Sequence, residues 1–171
     1  TLFKFDKSGR EDMLPGGLTF SDMQAGQGIK SLFEATINLQ HLLEDIQDPG
    51  NVGTLIRSAA AAGAGHVLLS GTCAFAWSPK VLRAGQGAHF ALNIVEGVDL
   101  VAFLAAYKGT SVALAARGKQ SLHALDLTGP TAIAVGNEGA GLSPLVLAAT
   151  KVRAHIPMPG RAESLNAGVA G

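Results

Sequence analysis

The stretch that best indicates the fold is residues 132–144, which read AIAVGNEGAGLSP. Its first four residues form an apolar run with the length of a buried strand. Three glycines follow within six residues, and glycine lets the backbone approach another segment or a ligand closely. Ser143 and Pro144 are typical of a helix N-cap followed by the first helical position. The stretch therefore predicts a strand, a glycine-rich loop and a helix in succession.

The same alternation of apolar runs and helical patterns extends from about residue 37 to the end of the chain. The runs that predict strands are 42–46, 66–69, 91–95, 112–115, 132–135 and 154–157. The predicted helices lie near 52–62, 79–85, 99–107 and 143–149, and Gly63 follows the first where a C-cap glycine belongs. Strands that alternate with helices at this spacing indicate an α/β fold with a mostly parallel sheet and helices on both faces.

Composition excludes several classes of protein. The 171 residues are 47% hydrophobic and 15% charged, whereas a disordered chain combines low hydrophobicity with high net charge. The formal net charge is zero, so the whole chain shows no basic footprint for nucleic acid, although a local patch remains possible. The single cysteine, Cys73, excludes an internal disulfide and fits a reducing cytoplasm. No apolar run is long enough to predict a membrane span.

The first 36 residues show no sustained period, and we expect them to be the end of an upstream element and a linker. The sequence begins at Thr1 without an initiator methionine and stops at Gly171 shortly after a predicted loop. We therefore expect a piece of a longer protein, truncated at its C-terminus.

Three further stretches combine turn residues with polar side chains. Asp48-Pro49-Gly50-Asn51-Val52-Gly53 precedes the first helix, where Asn51 is a candidate N-cap and Arg57 follows six residues later. The segment 156–166, IPMPGRAESLN, is a stiff loop in which Ser164 is a candidate cap for a final helix. The segment 78–88 carries Lys80 and Arg83 on one helical face. From spacing alone, each stretch also fits a plain turn, a capped helix or a solvated basic face.

Several familiar sites do not fit the pattern. The glycines at 136, 139 and 141 match neither the dinucleotide-binding Gly-x-Gly-x-x-Gly nor a phosphate-binding P-loop. The five histidines lack metal-ligand spacing, so no metal site is predicted. His66, His89 and His155 lie in or beside apolar runs and are expected to be hydrogen-bonded residues near the core.

Taken in order, these stretches resemble the SpoU/TrmH family of RNA ribose 2′-O-methyltransferases, within the SPOUT superfamily. The segment from Asp48 to Arg57 resembles the first motif, 135–143 the second and 156–166 the third. Residues 79–88 also resemble a stretch that is characteristic of the family. The resemblance covers 37–171, the expected methyltransferase domain, and makes 1–36 the expected remnant of an RNA-binding region and its linker.

The resemblance implies properties that periodicity does not. It implies a C-terminal trefoil knot, S-adenosyl-L-methionine held by the knot loops, a homodimer with the active site near the interface, and a tRNA or rRNA substrate. The cofactor contacts carried over from the family fall on Gly136, Ile156 and Leu165. The catalytic set carried over falls on Asn51, Arg57, Glu138, Ser164 and Asn166.

Two other functions remain open from the sequence. One is an RNA-binding or dimerisation module that keeps the fold without catalysis, against which the complete polar set counts. The other is an α/β nucleotide-binding enzyme such as a dehydrogenase, against which the missing dinucleotide motif counts.

Overall fold

The computed structural model describes residues 39–158 and 165–171, all of which belong to one compact unit, Ile37–Gly171. Its strands form a seven-stranded sheet in which every neighbouring pair is parallel. The strand order is β3-β2-β1-β6-β4-β7-β5. The strands are β1 (Leu39–Leu43), β2 (His66–Leu69), β3 (Asn93–Val95), β4 (Thr110–Leu114), β5 (Gln120–Ser121), β6 (Thr131–Val135) and β7 (Val152–His155).

Within the described residues, five α-helices connect or follow these strands. They are α1 (Pro49–Ala61), α2 (Pro79–Gly85), α3 (Leu100–Ala106), α4 (Pro144–Ala149) and α5 (Ala167–Ala170). Short 3-10 helices occupy Ala88–Ala91 and Leu122–Ala124. The predicted α/β class and parallel sheet are confirmed. The predicted knot involves the C-terminal segment that contains 159–164, which lies outside the described residues.

Both faces of the sheet are covered. Leu42 and Leu43 point to opposite faces, because successive strand residues alternate, and both are fully buried. On the Leu43 face, α1 and α2 complete a core cluster with Val67, Leu69 and Val135. The helices α3 and α4 pack against each other and contribute buried residues outside that cluster.

The close packing of α1 and α2 depends on Gly53. A Cβ at this position would lie 2.7 Å from the Val81 carbonyl oxygen and would overlap the Ala84 side chain. Residue types larger than glycine therefore require the two helices to separate.

Proline and a preceding polar residue determine where two helices begin. Asp48 caps α1, and its carboxylate accepts the Asn51 N–H at 2.8 Å, with Pro49 as the first helical residue. Ser143 caps α4 in the same way, as the sequence predicts, and accepts the Val146 N–H at 3.3 Å. The expected N-cap role of Asn51 is wrong, because the helix begins earlier than predicted and leaves the Asn51 side chain free for another contact.

The end of β1 also differs from the prediction. The apolar run 42–46 predicts a strand, but β1 ends at Leu43. Asp45 has a positive φ of 55°, a conformation that breaks a strand, and its N–H is held by the Ser70 hydroxyl at 3.0 Å. Gly63 does adopt a positive φ of 75° directly after the cap residue Ala62, which confirms the predicted helix end.

The predicted strand at 91–95 is shortened, because a 3-10 helix occupies Ala88–Ala91 and β3 begins at Asn93. The two-residue strand β5 is not predicted, since Gln120 and Ser121 form no apolar run.

The near-core histidines are confirmed in part. His89 is buried and its Nε2 donates to the Ala76 carbonyl at 2.9 Å, and His155 Nδ1 bonds the Gly118 carbonyl at 2.9 Å. His66 is buried as expected, but its Nδ1 has no partner among the described residues, and burial lowers its pKa. His41 is also buried, and desolvation lowers its pKa from 6.5 to about 4.

Candidate active site

The loops that follow β1 and β6 meet at one edge of the sheet. All strands are parallel, so their carboxyl ends lie together, and β1 and β6 are neighbours at the point where the strand order reverses. Open α/β sheets bind ligands at such a point. The loops concerned are 44–48 after β1 and 136–143 after β6.

Asn137 organises the glycine-rich loop after β6. Its side-chain oxygen accepts the N–H groups of Gly139 at 2.8 Å and Ala140 at 3.1 Å. Its Nδ2 donates to the Asp45 carbonyl at 2.9 Å, which ties this loop to the loop after β1. Its own carbonyl accepts the Gly141 N–H at 2.8 Å. One amide side chain thus fixes both the internal turn and the attachment of the loop.

Glu44 fixes the other end of the loop. Its Oε2 accepts the Ser143 N–H at 2.7 Å, at the start of α4. Gly136 lies so close to Gly141 and Leu142 that a Cβ there would overlap their backbone atoms. The loop is therefore closed on itself at its base.

Asn51 joins the first and second motifs. Its Nδ2 donates a hydrogen bond to the Glu138 carboxylate, and the two side chains are 87 positions apart in the sequence. This contact explains how a carboxylate is accommodated in a glycine loop: Glu138 is exposed and also has a partner. The contact joins two residues of the catalytic set that the resemblance implies, Asn51 and Glu138.

The third motif approaches the same place. Asn166, not the expected Ser164, caps α5, and its side chain accepts the Gly168 N–H at 2.9 Å. A Cβ on Gly168 would lie 3.2 Å from both Asn51 Oδ1 and Thr54 Cγ2. The start of α5, directly after the third motif, therefore packs close to Asn51 and Thr54 in the first turns of α1.

A cavity of about 600 Å³ lies beside this cluster. It is bounded by segments that follow β4, β6 and β7 and by the start of the C-terminal segment. Its walls include all three predicted cofactor residues, Gly136, Ile156 and Leu165, together with Glu138. Arg117, in the loop between β4 and β5, also lines it. Leu114, Leu142 and Leu147 give it an apolar side.

Comparison with known proteins identifies the family. The model of the SpoU rRNA Methylase family matches residues 38–171. The chain belongs to this family. The 23S rRNA (guanosine(2553)-2′-O)-methyltransferase RlmP of Bacillus subtilis is 37% identical over 139 residues, which are 80% of this chain and 56% of that protein.

Two solved structures resemble this SpoU family member. The AdoMet-bound rRNA methyltransferase from Sinorhizobium meliloti aligns with a TM-score of 0.72 at 34% identity, covering 78% of this chain and 52% of that one. A structure described as giving insights into the 2-OH methylation of C/U34 on tRNA aligns with a TM-score of 0.69 at 32% identity. The alignment covers 80% of this chain and 90% of that one. The chain spans about half the length of RlmP and of the S. meliloti enzyme.

Arg57, a predicted residue of the SpoU set, stands apart from the cluster. Arg57 is exposed on α1 and is not among the described residues that line the cavity. Arg57 follows Asn51 by six residues, and at about 100° per residue this rotates its side chain by about 240° beyond one full turn. The two side chains therefore leave α1 in different directions. Ser164 lies outside the described residues.

Sequence reasoning missed the residues that hold the loops. Glu44 and Asp45 lie inside an apolar run that predicts a strand, and this pattern does not indicate their loop contacts. Asn137 lies between Gly136 and Glu138 in the second motif. An asparagine in a glycine-rich loop often bonds the backbone of a turn, and this residue type could have indicated its role. Asp48 before Pro49 repeats the cap pattern that predicts the start of α4 at Ser143.

Within 39–158 and 165–171, no three His, Cys, Asp or Glu side chains cluster closely enough to hold a metal ion. In the same residues, no helix has both the length and the apolar character of a membrane-spanning segment.

Proposed function

We propose that this protein is an S-adenosyl-L-methionine-dependent methyltransferase that modifies a ribose 2′-hydroxyl of RNA. The observation that carries the proposal is the contact between Asn51 of the first motif and Glu138 of the second, beside a cavity whose walls include Gly136, Ile156 and Leu165. The alternative of a non-catalytic module with the same fold is not favoured, because no specific feature of the site supports it.

The cavity fits a ligand of the proposed kind. Its volume of about 600 Å³ lies in the range of small-molecule sites, roughly 300–1,000 Å³. The apolar side suits an adenine ring. Arg117 carries a charge that complements a carboxylate, and Glu138 one that complements an ammonium or sulfonium group. Gly136, Ile156 and Leu165 would contribute backbone and side-chain contacts to the cofactor.

When bound, the cofactor supplies an electrophilic methyl group on a sulfonium. The residues of the chain must hold the ribose hydroxyl about 3 Å from that methyl group and assist loss of its proton. Glu138 is the available proton acceptor, and its bond to Asn51 orients it. We assign Asn51, Ser164 and Asn166 to positioning by hydrogen bonds.

Arg57 has a different role in this proposal. A guanidinium remains protonated in proteins, so it cannot act as a general base. It can donate hydrogen bonds to the developing alkoxide or to an adjacent phosphate. Its exposure on α1 is compatible with a contact to RNA, and a homodimer with the active site near the subunit interface would bring a second α1 close by.

The remaining features follow the family. We propose a trefoil knot through the C-terminal segment, a methyltransferase domain at 37–171, and an upstream RNA-binding region of which 1–36 is a remnant. We place the protein in the cytoplasm. The substrate is rRNA or tRNA: RlmP is named for 23S rRNA, and the structure that aligns over 90% of its own length is described for tRNA.

The test is calorimetric titration of the protein with S-adenosyl-L-homocysteine, beside an Arg57→Ala variant, followed by transfer of labelled methyl groups to total tRNA and rRNA. We expect both proteins to bind the cofactor product equally and only the wild type to methylate RNA. A folded wild type that does not bind S-adenosyl-L-homocysteine would contradict the proposal.

A further inference from the structure

Three aromatic side chains project into solvent from one short segment. The described residues contain five aromatic side chains, and Phe103 and Tyr107 are the buried pair. The other three are Phe75, Trp77 and Phe90, with exposed fractions of 61%, 39% and 86%. Exposed large apolar groups that cluster in this way mark interaction sites more often than single exposed residues do.

The backbone beneath these rings is held firmly. Ala76, between Phe75 and Trp77, is buried; its N–H donates to the Glu96 carboxylate at 2.7 Å and its carbonyl accepts from His89 Nε2 at 2.9 Å. The Trp77 ring lies 5.2 Å from the His89 ring, centroid to centroid, and Phe90 follows His89 directly. The rings therefore stand on a fixed base, and a ligand that binds them orders little additional chain.

The chain returns to this base through a tight reversal after α2. Gln86 and Gly87 both have positive φ, 50° and 84°. Gly85 packs so closely under His89 that a Cβ would lie 2.8 Å from His89 Nδ1. This packing brings the two ends of the segment, with Phe75 and Trp77 at one end and Phe90 at the other, to the same base.

Basic side chains outnumber acidic ones around these rings, although the whole chain is neutral. Residues 49–96 contain Arg57, Lys80 and Arg83 and one acidic residue, Glu96, whose carboxylate accepts the Ala76 N–H. Lys80 and Arg83 are both exposed on α2, and residues three apart are neighbours on a helix surface. We call the set of Phe75, Trp77, Lys80, Arg83 and Phe90 the aromatic–basic surface.

This surface is connected to the candidate active site. The segment that carries Phe75 and Trp77 follows β2, so it lies at the same carboxyl edge of the sheet as the loops after β1 and β6. The Asp45 N–H donates to the Ser70 hydroxyl at 3.0 Å, and the Ala74 N–H donates to the Ile46 carbonyl at 2.8 Å. Asp45 is also the residue that Asn137 holds.

From this arrangement we infer that the aromatic–basic surface binds single-stranded RNA next to the modified nucleotide. Unpaired bases stack on aromatic rings in a sequence-tolerant way, and lysine and arginine contact the phosphates. A second copy of the chain fits less well, since a twofold contact through this surface would place Lys80 and Arg83 against like charges. The inference rests on the proposed function for its substrate class and adds the place where that substrate is held.

The test measures binding of two labelled probes by fluorescence anisotropy: an oligoadenylate of about 12 nucleotides and an abasic ribose-phosphate oligomer of equal length. We expect Phe75→Ala combined with Phe90→Ala to weaken oligoadenylate binding by about tenfold or more and to leave the abasic oligomer nearly unaffected. Both side chains are largely exposed, so the fold should tolerate their loss. Leu145→Ala is the matched control, because Leu145 is 70% exposed on α4.

A second pair of variants separates the phosphate contribution. The double variant Lys80→Gln, Arg83→Gln should weaken the binding of both probes. It should also reduce the magnitude of the slope of log K against log salt by about 1.4, because each phosphate contact to a single strand contributes about 0.7. Lys108→Gln is the control, because this exposed lysine precedes β4 at the opposite edge of the sheet.

The inference is overturned if the aromatic variants bind oligoadenylate as the wild type does, if they lose both probes equally, or if sedimentation shows that they have changed oligomeric state. Titration with S-adenosyl-L-homocysteine is performed on every variant. If the wild type binds oligoadenylate through this surface but does not bind the cofactor product, the RNA-binding inference stands and the proposed methyltransferase function is contradicted.

Discussion

Asn137 Nδ2 lies 2.9 Å from the Asp45 carbonyl oxygen, and this bond joins the glycine-rich loop after β6 to the loop after β1. Asp45 has a positive φ that residues other than glycine rarely adopt. The bond to Asn137 and the bond from its N–H to Ser70 hold it there. The two loops thus form one unit, from which the cavity wall and the exposed aromatic segment both extend.

Asn137→Asp tests this relationship, because the carboxylate keeps the acceptor for Gly139 and Ala140 but removes the donor to Asp45. We expect a loss of about 1–3 kcal/mol in unfolding free energy, since the Asp45 carbonyl loses its partner and faces a new negative charge. Binding of S-adenosyl-L-homocysteine should weaken by about tenfold or more. Urea unfolding and calorimetry measure the two effects, and unchanged cofactor affinity would show that the loop attachment does not position the cavity.

The close approach at Gly136 gives a second prediction. Gly136→Ala should destabilise the protein by about 1–3 kcal/mol and abolish cofactor binding, because the new Cβ overlaps Gly141 and Leu142. Gly139→Ala is the matched control in the same loop: its Cβ would meet nothing closer than Asn137 Oδ1 at 3.6 Å. Equal effects of the two substitutions on thermal unfolding and calorimetry would contradict this account.

The bond between Asn51 and Glu138 predicts coupled effects on catalysis. Asn51→Ala and Glu138→Ala should each reduce methyl transfer strongly while the stability changes by less than about 1 kcal/mol, because the bond is solvent-exposed. In a double-mutant cycle of kcat/KM on RNA, the double variant should lose much less than the sum of the two single losses. Additive losses would show that the two side chains act independently.

Arg117 provides a test of charge complementarity in the cavity. Arg117→Gln should weaken the binding of S-adenosyl-L-homocysteine by about tenfold or more, since a charged partner for the ligand carboxylate is lost. Lys119→Gln, an exposed cation two residues away, should have little effect. Calorimetry measures the affinity of both variants for S-adenosyl-L-homocysteine. If Arg117→Gln binds this ligand as tightly as Lys119→Gln does, Arg117 is not a ligand contact.

The buried His41 predicts a pH dependence of stability. Its pKa is lowered by burial from 6.5 to about 4, so the folded protein binds fewer protons than the unfolded chain between these values. The contribution of His41 to the free energy of unfolding is therefore fully present above pH 6.5. It decreases by about 3 kcal/mol as the pH falls toward 4. The lowered pKa of His66 acts in the same direction.

Urea unfolding at about pH 4.5, 5.5 and 7 measures this slope, because these values span most of the interval between the two pKa values. His41→Leu should flatten the slope, whereas substitution of the exposed His123 by Ala should not. A slope that persists unchanged in His41→Leu would assign it to other groups.

Local sequence was sufficient for the elements whose signals are short-range. The caps at Ser143 and the helix end at Gly63 follow from residue types with a single preferred backbone role, and the apolar run at 132–135 corresponds to a strand within one residue of its observed bounds. The parallel sheet follows from the alternation of elements. The cavity-wall residues Gly136, Ile156 and Leu165 follow instead from the resemblance to the SpoU/TrmH family, because local pattern does not single them out.

Tertiary structure decided the features that depend on contacts between distant segments. The strand β1 stops at Leu43 because Ser70 and Asn137 bond Asp45, and neither lies near it in the sequence. The partner of Glu138 is Asn51 because α1 begins at Pro49 and turns that amide toward the loop after β6. Periodicity records which face of an element is apolar, but it carries no information about which polar groups meet across the edge of the sheet.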